Sequence, residues 1–251
     1  MTRGTTTRLL RYARAAGLAY VAIIVVAVLN TTLIDARLLV AGDNAATASN
    51  IVANELTFRV GIVATLLMYA AVFVLSLALY QLLKEVNRGL ALLALLFRSA
   101  EATLGSATVL FSLLAVQLLN QASGLDNDRG HALLGLFLDV RTAGLDVVLV
   151  FVGLGGALFC YLFWVSRCVP RLFAGWGVVT YLSMLALGVV SILYPKHPAL
   201  LEIVPYSLGA LFELLFGIWL TVKGVDVSTL TSGVELASES QNGEAGSFSV
   251  Q

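Results

Sequence analysis

Three ionisable residues lie inside apolar segments that are long enough to cross a membrane. Arg98 and Glu101 belong to the segment 89–120. Glu213 belongs to the segment 203–222. A charge at the bilayer centre costs about 2.5–3.5 kcal/mol on insertion scales, so such residues generally serve a function. The set holds one positive and two negative formal charges, which leaves one carboxylate without a partner, and the pattern predicts a buried polar site in a membrane protein.

These charges have two chemical interpretations. Arg98 can bracket both carboxylates, because a guanidinium offers five N–H donors in a planar fork, and the site is then structural. Alternatively, Glu101 or Glu213 is desolvated without full compensation, so that it holds a proton and can exchange it. Such a carboxyl can serve a proton-coupled carrier or act as an intramembrane acid, which makes Glu101 and Glu213 the candidate catalytic residues.

Helical rise places the three charges at similar depth. Arg98 follows Arg88 by ten residues, and Glu213 precedes Lys223 by ten residues. At 1.5 Å per residue each lies about 15 Å from the membrane boundary, which is close to the midplane. Glu101 lies one turn beyond Arg98 and can pair with it within the helix. Glu213 can reach Arg98 as well if their two helices touch.

Polar and small residues extend this site along neighbouring turns. Thr108 and Ser112 lie beyond Glu101 on the same helical face, and Tyr69 lies on a polar face of the second segment. Small and hydroxyl residues on one face also pack helices together, so a packing role fits these positions too. The predicted ligand-binding residues are Arg98, Glu101, Glu213, Tyr69, Thr108 and Ser112.

The elements that carry these residues belong to an integral membrane protein. The chain is 59% hydrophobic and 12% charged, whereas soluble domains average about 45–50% and about 25%. Six apolar segments have roughly the length of 20 residues that a membrane crossing needs, which predicts an all-α, polytopic bundle of six transmembrane helices over residues 1–225. The segments are 17–34, 60–83, 89–120, 147–166, 172–195 and 203–222. The polar composition of residues 226–251 predicts a disordered cytoplasmic tail.

The distribution of Lys and Arg predicts the orientation. Nine basic residues lie on the side of the termini and five lie on the opposite side. The positive-inside rule then places both termini in the cytoplasm. The opposite side carries acidic loops, of which residues 120–146 form the longest. The residues expected to form a solvated cap there are Glu55, Arg59, Asp139, Arg141 and Asp146.

Several classes of site are not indicated. The formal net charge is +0, which gives no sign of a nucleic-acid partner. Cys160 and Cys168 are the only cysteines and lie about 12 Å apart along a helix, too far for a disulfide. His131 and His197 are predicted to lie in loops, so the sequence predicts no metal site and no cofactor. The oligomeric state stays open.

Several stretches together are similar to one protein family. They are residues 43–55 with 58–59, 78–87, 91–101, 161–166 with 170–171, and 213–224. The third reads Ala91-Leu-Leu-Ala-Leu-Leu-Phe-Arg98-Ser-Ala-Glu101 and includes two of the predicted site charges. The chain resembles the bacterial domain-of-unknown-function family 4386 of six-helix integral membrane proteins. The resemblance implies a multi-pass protein of the bacterial cytoplasmic membrane and brings no established activity.

Three functions fit the sequence. The first is binding or transport of a small or lipid-like ligand at a polar site in the middle of the membrane, which we favour. The second is an intramembrane acid/base enzyme that acts on an isoprenoid or another lipid. The third is a structural or sensory membrane subunit in which the charges only hold helices together. The partners predicted in each case are the lipid bilayer and, for the first two, a hydrophobic small molecule.

Overall fold

A computed structural model describes residues 3–121, 127–198 and 200–229 of the chain. Within those ranges the regular structure is helical and contains no strand, which confirms the predicted all-α class. The elements are α1 (Arg3–Asn30), a π-helical turn (Thr31–Asp35), α2 (Ala36–Leu38), α3 (Asn44–Ala53), α4 (Glu55–Leu83), α5 (Arg88–Gln121), α6 (Asn127–Ser166), α7 (Arg171–Leu193) and α8 (Leu200–Val222).

Six of these helices are long and apolar enough to cross a membrane. They are α1 with its extension to Leu38, together with α4, α5, α6, α7 and α8. The six predicted spans are therefore confirmed. An even number of crossings puts the start of α1 and the end of α8 on one side, here called the terminal side, and the other side is called the far side. The cytoplasmic location of the termini stays a prediction.

The spanning helices form a closed ring in chain order. Each of α4, α5, α6 and α7 packs against the next helix, and α1 closes the ring by contacting both α4 and α8. Charged side chains that point inward from α5 and α8 consequently face a common interior. The polar faces of these helices, which are separate in the sequence, therefore form one candidate site.

Helix α1 changes neighbour along its length. Near the terminal side it lies backbone to backbone on α8, because a Cβ on Gly17 would be 2.6 Å from the carbonyl oxygen of Gly217. Near the far side it lies on α4, where a Cβ on Gly61 would be 2.7 Å from Asn30 Oδ1. Asn30 Nδ2 also donates to Thr65 Oγ1 at 3.1 Å. The far halves of α1 and α8 are therefore free to separate, and a cavity lies between them.

The structure corrects the predicted loop 120–146. From Asn127 onward this stretch is the first half of α6, a helix of 40 residues that is about 60 Å long at 1.5 Å per residue. Asp139 and Asp146 lie on this helix, and so does His131, which was wrongly placed in a loop. Charged residues interrupt the apolar run here and conceal its helical periodicity. His197 does lie in a loop.

A small far-side layer stabilises this helical extension. Asp43 begins α3 by accepting a hydrogen bond from the Ala46 N–H at 2.8 Å, as an N-cap does. Leu134 of α6 is fully buried in a second apolar cluster with residues of α2, α3, α4 and α5. Among the residues predicted to form a solvated cap on this side, Arg59 contacts Glu55 at 2.7 Å. Arg141 instead contacts Asp35 at 2.9 Å.

Candidate functional site

The centre of the site is an ion pair between neighbouring turns of α5. Arg98 Nη1 lies 2.7 Å from Glu101 Oε2, and the two side chains are only 4% and 6% exposed. The pair was predicted from the spacing of three residues. Within the described residues Glu101 Oε2 accepts no aligned hydrogen bond despite this short distance. The carboxylate is thus compensated by charge but retains unused capacity to accept a proton or a donor.

The backbone of α6 makes room for the guanidinium. A Cβ on Gly155 would lie 2.8 Å from Arg98 Cγ and 3.0 Å from Arg98 Cδ. On α5 itself, Ala91, Ala94 and Ala102 are fully buried and let neighbouring helices approach. Glycine and alanine at these positions therefore hold Arg98 in the interior, where it cannot extend to water.

Glu213 has different partners. Tyr181 donates its hydroxyl to Glu213 Oε1 at 2.9 Å. The Tyr181 hydroxyl oxygen also lies 3.2 Å from that of Tyr20, so the two phenols and the carboxyl form a chain. Among the described ion pairs, Arg98 contacts Glu101 and does not contact Glu213. A bracket of Arg98 between both carboxylates, one of the two sequence interpretations, is therefore not formed by direct contacts in this structure.

A cavity of about 600 Å³ unites these groups. Arg98, Glu101, Glu213 and Tyr69 contribute to its wall. The remaining wall is predominantly aliphatic and comes from α1, α4, α6, α7 and α8. The aliphatic and thioether residues that line it include Ile23, Ile24, Ala27, Val28, Met68, Val72, Val148, Val152 and Met184. The site thus combines an ionic region with a much larger apolar region.

The mouth of this cavity lies between α1 and α8. Val28 of α1 and Tyr206 of α8 both line the cavity, and each is 47% exposed. Both residues belong to the far halves of their helices, where α1 has moved onto α4. Because both helices are long and apolar enough to cross a membrane, an opening between them is lateral.

Aromatic residues fill the bundle on the terminal side of Glu213. Phe212 and Phe216 stack at 5.2 Å between ring centroids. Phe163 and Tyr20 contact Phe216 edge-on at 5.5 and 5.9 Å. All four rings are 2% exposed or less. This packed layer separates the ionic region from the terminal side of the membrane.

Thr108 and Ser112 do not reach the main cavity. They line a second, smaller cavity of about 30 Å³ nearer the far side, together with Thr65, Asn30 and Arg141. The structure therefore brings four of the six predicted ligand-binding residues together. The other two share the predicted helical face and are separated from the ion pair by the Tyr69 ring, which packs on Gly105.

Tyr20 and Tyr181 belong to the site but were not predicted. Both lie in strongly apolar segments, and a buried tyrosine hydroxyl usually requires a partner. A second signal was present in the glycine-rich run of α6, because a Cβ on Gly156 would lie directly against the Tyr181 ring. The packing partner of this glycine is the phenol that donates to Glu213.

The chain belongs to the family described as Domain of unknown function (DUF4386), which matches residues 15–224. This confirms the resemblance seen in the sequence. The matched range includes every residue of the ion pair, the phenol chain and both cavities. No curated protein and no solved structure matches the chain. We therefore infer the function from the geometry of the site.

Proposed function

We propose that the protein binds an amphipathic small molecule that enters laterally from the bilayer. The observation that supports this most directly is the cavity of about 600 Å³ with its ionic region at Arg98, Glu101 and Glu213. Small-molecule sites typically have volumes of about 300–1,000 Å³ and combine apolar walls with a few placed polar groups. The bound molecule would place its polar group at the charges and its apolar part along the aliphatic wall.

The charge balance favours a ligand with a cationic or proton-donating head group. Arg98 neutralises Glu101 at 2.7 Å. Within the part of the chain that the structure describes, Glu213 receives only a neutral hydroxyl donor, from Tyr181. A protonated amine would supply the missing positive charge beside Glu213, and an ionised carboxylate would add a third negative charge in a low-dielectric site. We therefore expect an alkylamine to bind more tightly than a fatty acid of equal chain length.

Binding, followed by transport or release, fits this geometry better than catalysis. The aromatic layer at Phe212 and Phe216 closes the terminal side, so transport would require that layer to open. An enzyme that forms carbocations would benefit from aromatic rings around its substrate, since such rings stabilise cations. The cavity wall is instead mainly aliphatic, with Tyr69 and Tyr206 as its aromatic members.

For the cellular location, we propose the cytoplasmic membrane of a bacterium, with both termini in the cytoplasm. The excess of nine basic residues on the terminal side over five on the far side supports this orientation. The cavity mouth would then open into the outer leaflet. A ligand reaching the site would come from that leaflet.

The test is amphiphile binding to the detergent-purified full chain. Dodecylamine and dodecanoate would be compared by native mass spectrometry and by thermal shift. Ala27→Phe should fill the cavity and weaken dodecylamine binding at least about tenfold, because Ala27 lines the wall. Ala22→Phe is the matched control, since Ala22 is exposed on the same helix. Equal dodecylamine binding by both variants would refute the proposal.

A further inference from the structure

The smaller far-side cavity is rich in hydrogen-bond acceptors. Asn30 Oδ1 lines it and is buried, and within the described residues it has no hydrogen-bond donor. Thr65 gives its hydroxyl proton to the Gly61 carbonyl at 2.9 Å. Thr108 gives its own to the Gly105 carbonyl at 2.7 Å. Thr65 Oγ1 already accepts a hydrogen bond from Asn30 Nδ2 at 3.1 Å, so within the described residues Asn30 Oδ1 is the acceptor at this cavity that still requires a donor.

Water is the donor that this space can accommodate. The volume of about 30 Å³ is enough for about two water molecules, each of which needs roughly 10–15 Å³ and two to four polar partners. Asn30, Thr65, Thr108 and Ser112 supply such partners. A hydrated cavity would satisfy the Asn30 oxygen, whereas an apolar ligand of any size would leave it unpaired.

This cavity lies between the far-side surface and the main cavity. Its outer end is formed by Asp35 and Arg141, which lie 2.9 Å apart and are partly exposed. At its inner end, Leu145 lines both cavities. Tyr69 lies one turn beyond Thr65 and lines the main cavity together with Glu101.

We propose that this cavity holds a short file of water through which a proton reaches Glu101 from the far side. The proton enters beside Asp35 and Arg141 and passes along the waters at Thr108 and Ser112. The Tyr69 hydroxyl then takes a proton from the water file as it gives its own to the Glu101 carboxylate. That carboxylate becomes a neutral carboxyl, and only O–H bonds are exchanged. The charged groups around it are Arg98 and Glu213, and Tyr69 with Leu145 forms the thin partition. The idea rests on the proposed function, because the proton would neutralise the surplus carboxylate of the site while no cationic ligand is bound and would leave when one binds.

Silver ions test the water file without any ligand. Ag⁺ is similar in size to a water molecule, reacts with thiols, and does not enter lipid. The variants Thr108→Cys and Ser112→Cys would be exposed to Ag⁺ in nanodiscs, then unfolded, and each cysteine would be quantified with N-ethylmaleimide by peptide mass spectrometry. The controls are Thr103→Cys and Leu110→Cys, which lie on the exposed face of α5.

We expect Ag⁺ to protect the cysteines at 108 and 112 at least about tenfold faster than those at 103 and 110. Equal rates at all four positions would overturn the proposal. Cys160 and Cys168, both buried, report in every sample whether the protein stayed folded. This outcome is independent of dodecylamine binding, so failure of the water file and failure of the proposed function are distinguishable.

Infrared spectroscopy tests the proton step. The Glu101 carboxyl band is identified as the one that disappears in Glu101→Gln. After transfer to D₂O, the hydrogen of this carboxyl should exchange at least about tenfold more slowly in Asn30→Leu than in the wild type. Leucine keeps the side-chain size of Asn30 but removes its polar atoms. Dodecylamine affinity should not change in Asn30→Leu, because Asn30 does not line the main cavity. An unchanged exchange rate in this variant, or the absence of any Glu101 carboxyl band between pH 5 and 8, would overturn the proton route.

Discussion

Gly155 of α6 lies directly against the side chain of Arg98 on α5. A Cβ at position 155 would be 2.8 Å from Arg98 Cγ and 3.1 Å from the Arg98 backbone nitrogen. The guanidinium thus reaches the interior past a helix that has no side chain at the crossing. Because a close helix contact fixes its position, the ion pair depends on the packing of α5 against α6 as much as on its own charges.

Gly155→Ala should consequently destabilise the protein. The added methyl group meets both a side chain and a backbone atom, and such overpacking typically costs about 1–3 kcal/mol. Gly130→Ala in the same helix is the control, because a Cβ there would meet nothing within 4 Å. Alanine is the better helix former, so the control should be neutral or stabilising by up to about 1 kcal/mol. In thermal melts in one detergent, the melting temperature should fall in Gly155→Ala and should stay equal or rise in Gly130→Ala. An equal fall in both variants would contradict the prediction.

Arg98→Leu should be far more damaging than Glu213→Gln. Removal of Arg98 leaves Glu101 buried without its cation, and breaking a buried ion pair in this way costs about 3–5 kcal/mol. Glutamine at 213 retains the Oε1 acceptor for Tyr181 and removes the carboxylate that lacks a cation. The melting temperatures of the two purified variants provide the comparison. If they fall equally, the ion pair does not hold the bundle together.

The phenol chain makes a separate prediction. Tyr181→Phe removes the donor to Glu213 and the contact with Tyr20, so it should cost about 1–3 kcal/mol, the range for leaving a buried group unsatisfied. Tyr20→Phe keeps the bond from Tyr181 and should cost less. Tyr161→Phe is the control, because Tyr161 is 49% exposed. Denaturation of the three variants would rank them, and a cost for Tyr161→Phe as large as that for Tyr181→Phe would contradict the assignment.

The sequence predicted most of the bundle because length and apolarity alone define a membrane crossing. The predicted segment 89–120 corresponds to α5 at Arg88–Gln121, and 203–222 corresponds to α8 at Leu200–Val222. The far half of α6 was missed because its charged residues lower the hydropathy of the chain before the predicted apolar segment 147–166. Hydrophobic periodicity reports on one helix at a time. It cannot show which other helices will pack against that helix.

The candidate site shows the same limit. The spacing of Arg98 and Glu101 predicted their ion pair because both lie on one helix. The bond from Tyr181 to Glu213 joins two helices, and only the three-dimensional packing determines it. Thr108 and Ser112 were placed on the correct face, yet the Tyr69 ring against Gly105 divides that face between two cavities.

Cys168 should be inert toward maleimide in the folded protein. It lies in the loop between α6 and α7, where burial raises the pKa of the Cys168 thiol to about 11. Only the thiolate reacts, so the reactive fraction at pH 7.5 is very small. The Asp226 N–H donates to the Cys168 carbonyl at 2.9 Å, and Val227 is only 8% exposed. Val227→Asp should therefore release this segment and accelerate labelling.

Maleimide labelling followed by peptide mass spectrometry would measure that change. Both cysteines should label completely in dodecyl sulfate, which is the control for chemical competence. Rapid labelling of Cys168 in the native wild type would contradict the burial of this loop. Labelling that is equally slow in wild type and Val227→Asp would show that the segment after α8 does not protect it.

The last prediction concerns orientation. A fluorescent-protein fusion at Gln251 should fluoresce, because the nine basic residues of the terminal side favour the cytoplasm. Alkaline phosphatase inserted between Gln121 and Asn127 should be active, since the junction of α5 and α6 lies on the far side, which the predicted orientation places outside the cell. Active phosphatase at Gln251 together with inactive phosphatase at the junction would reverse the topology. The same result would move the cavity mouth at Val28 and Tyr206 to the inner leaflet, so the fusions also decide which leaflet supplies the ligand.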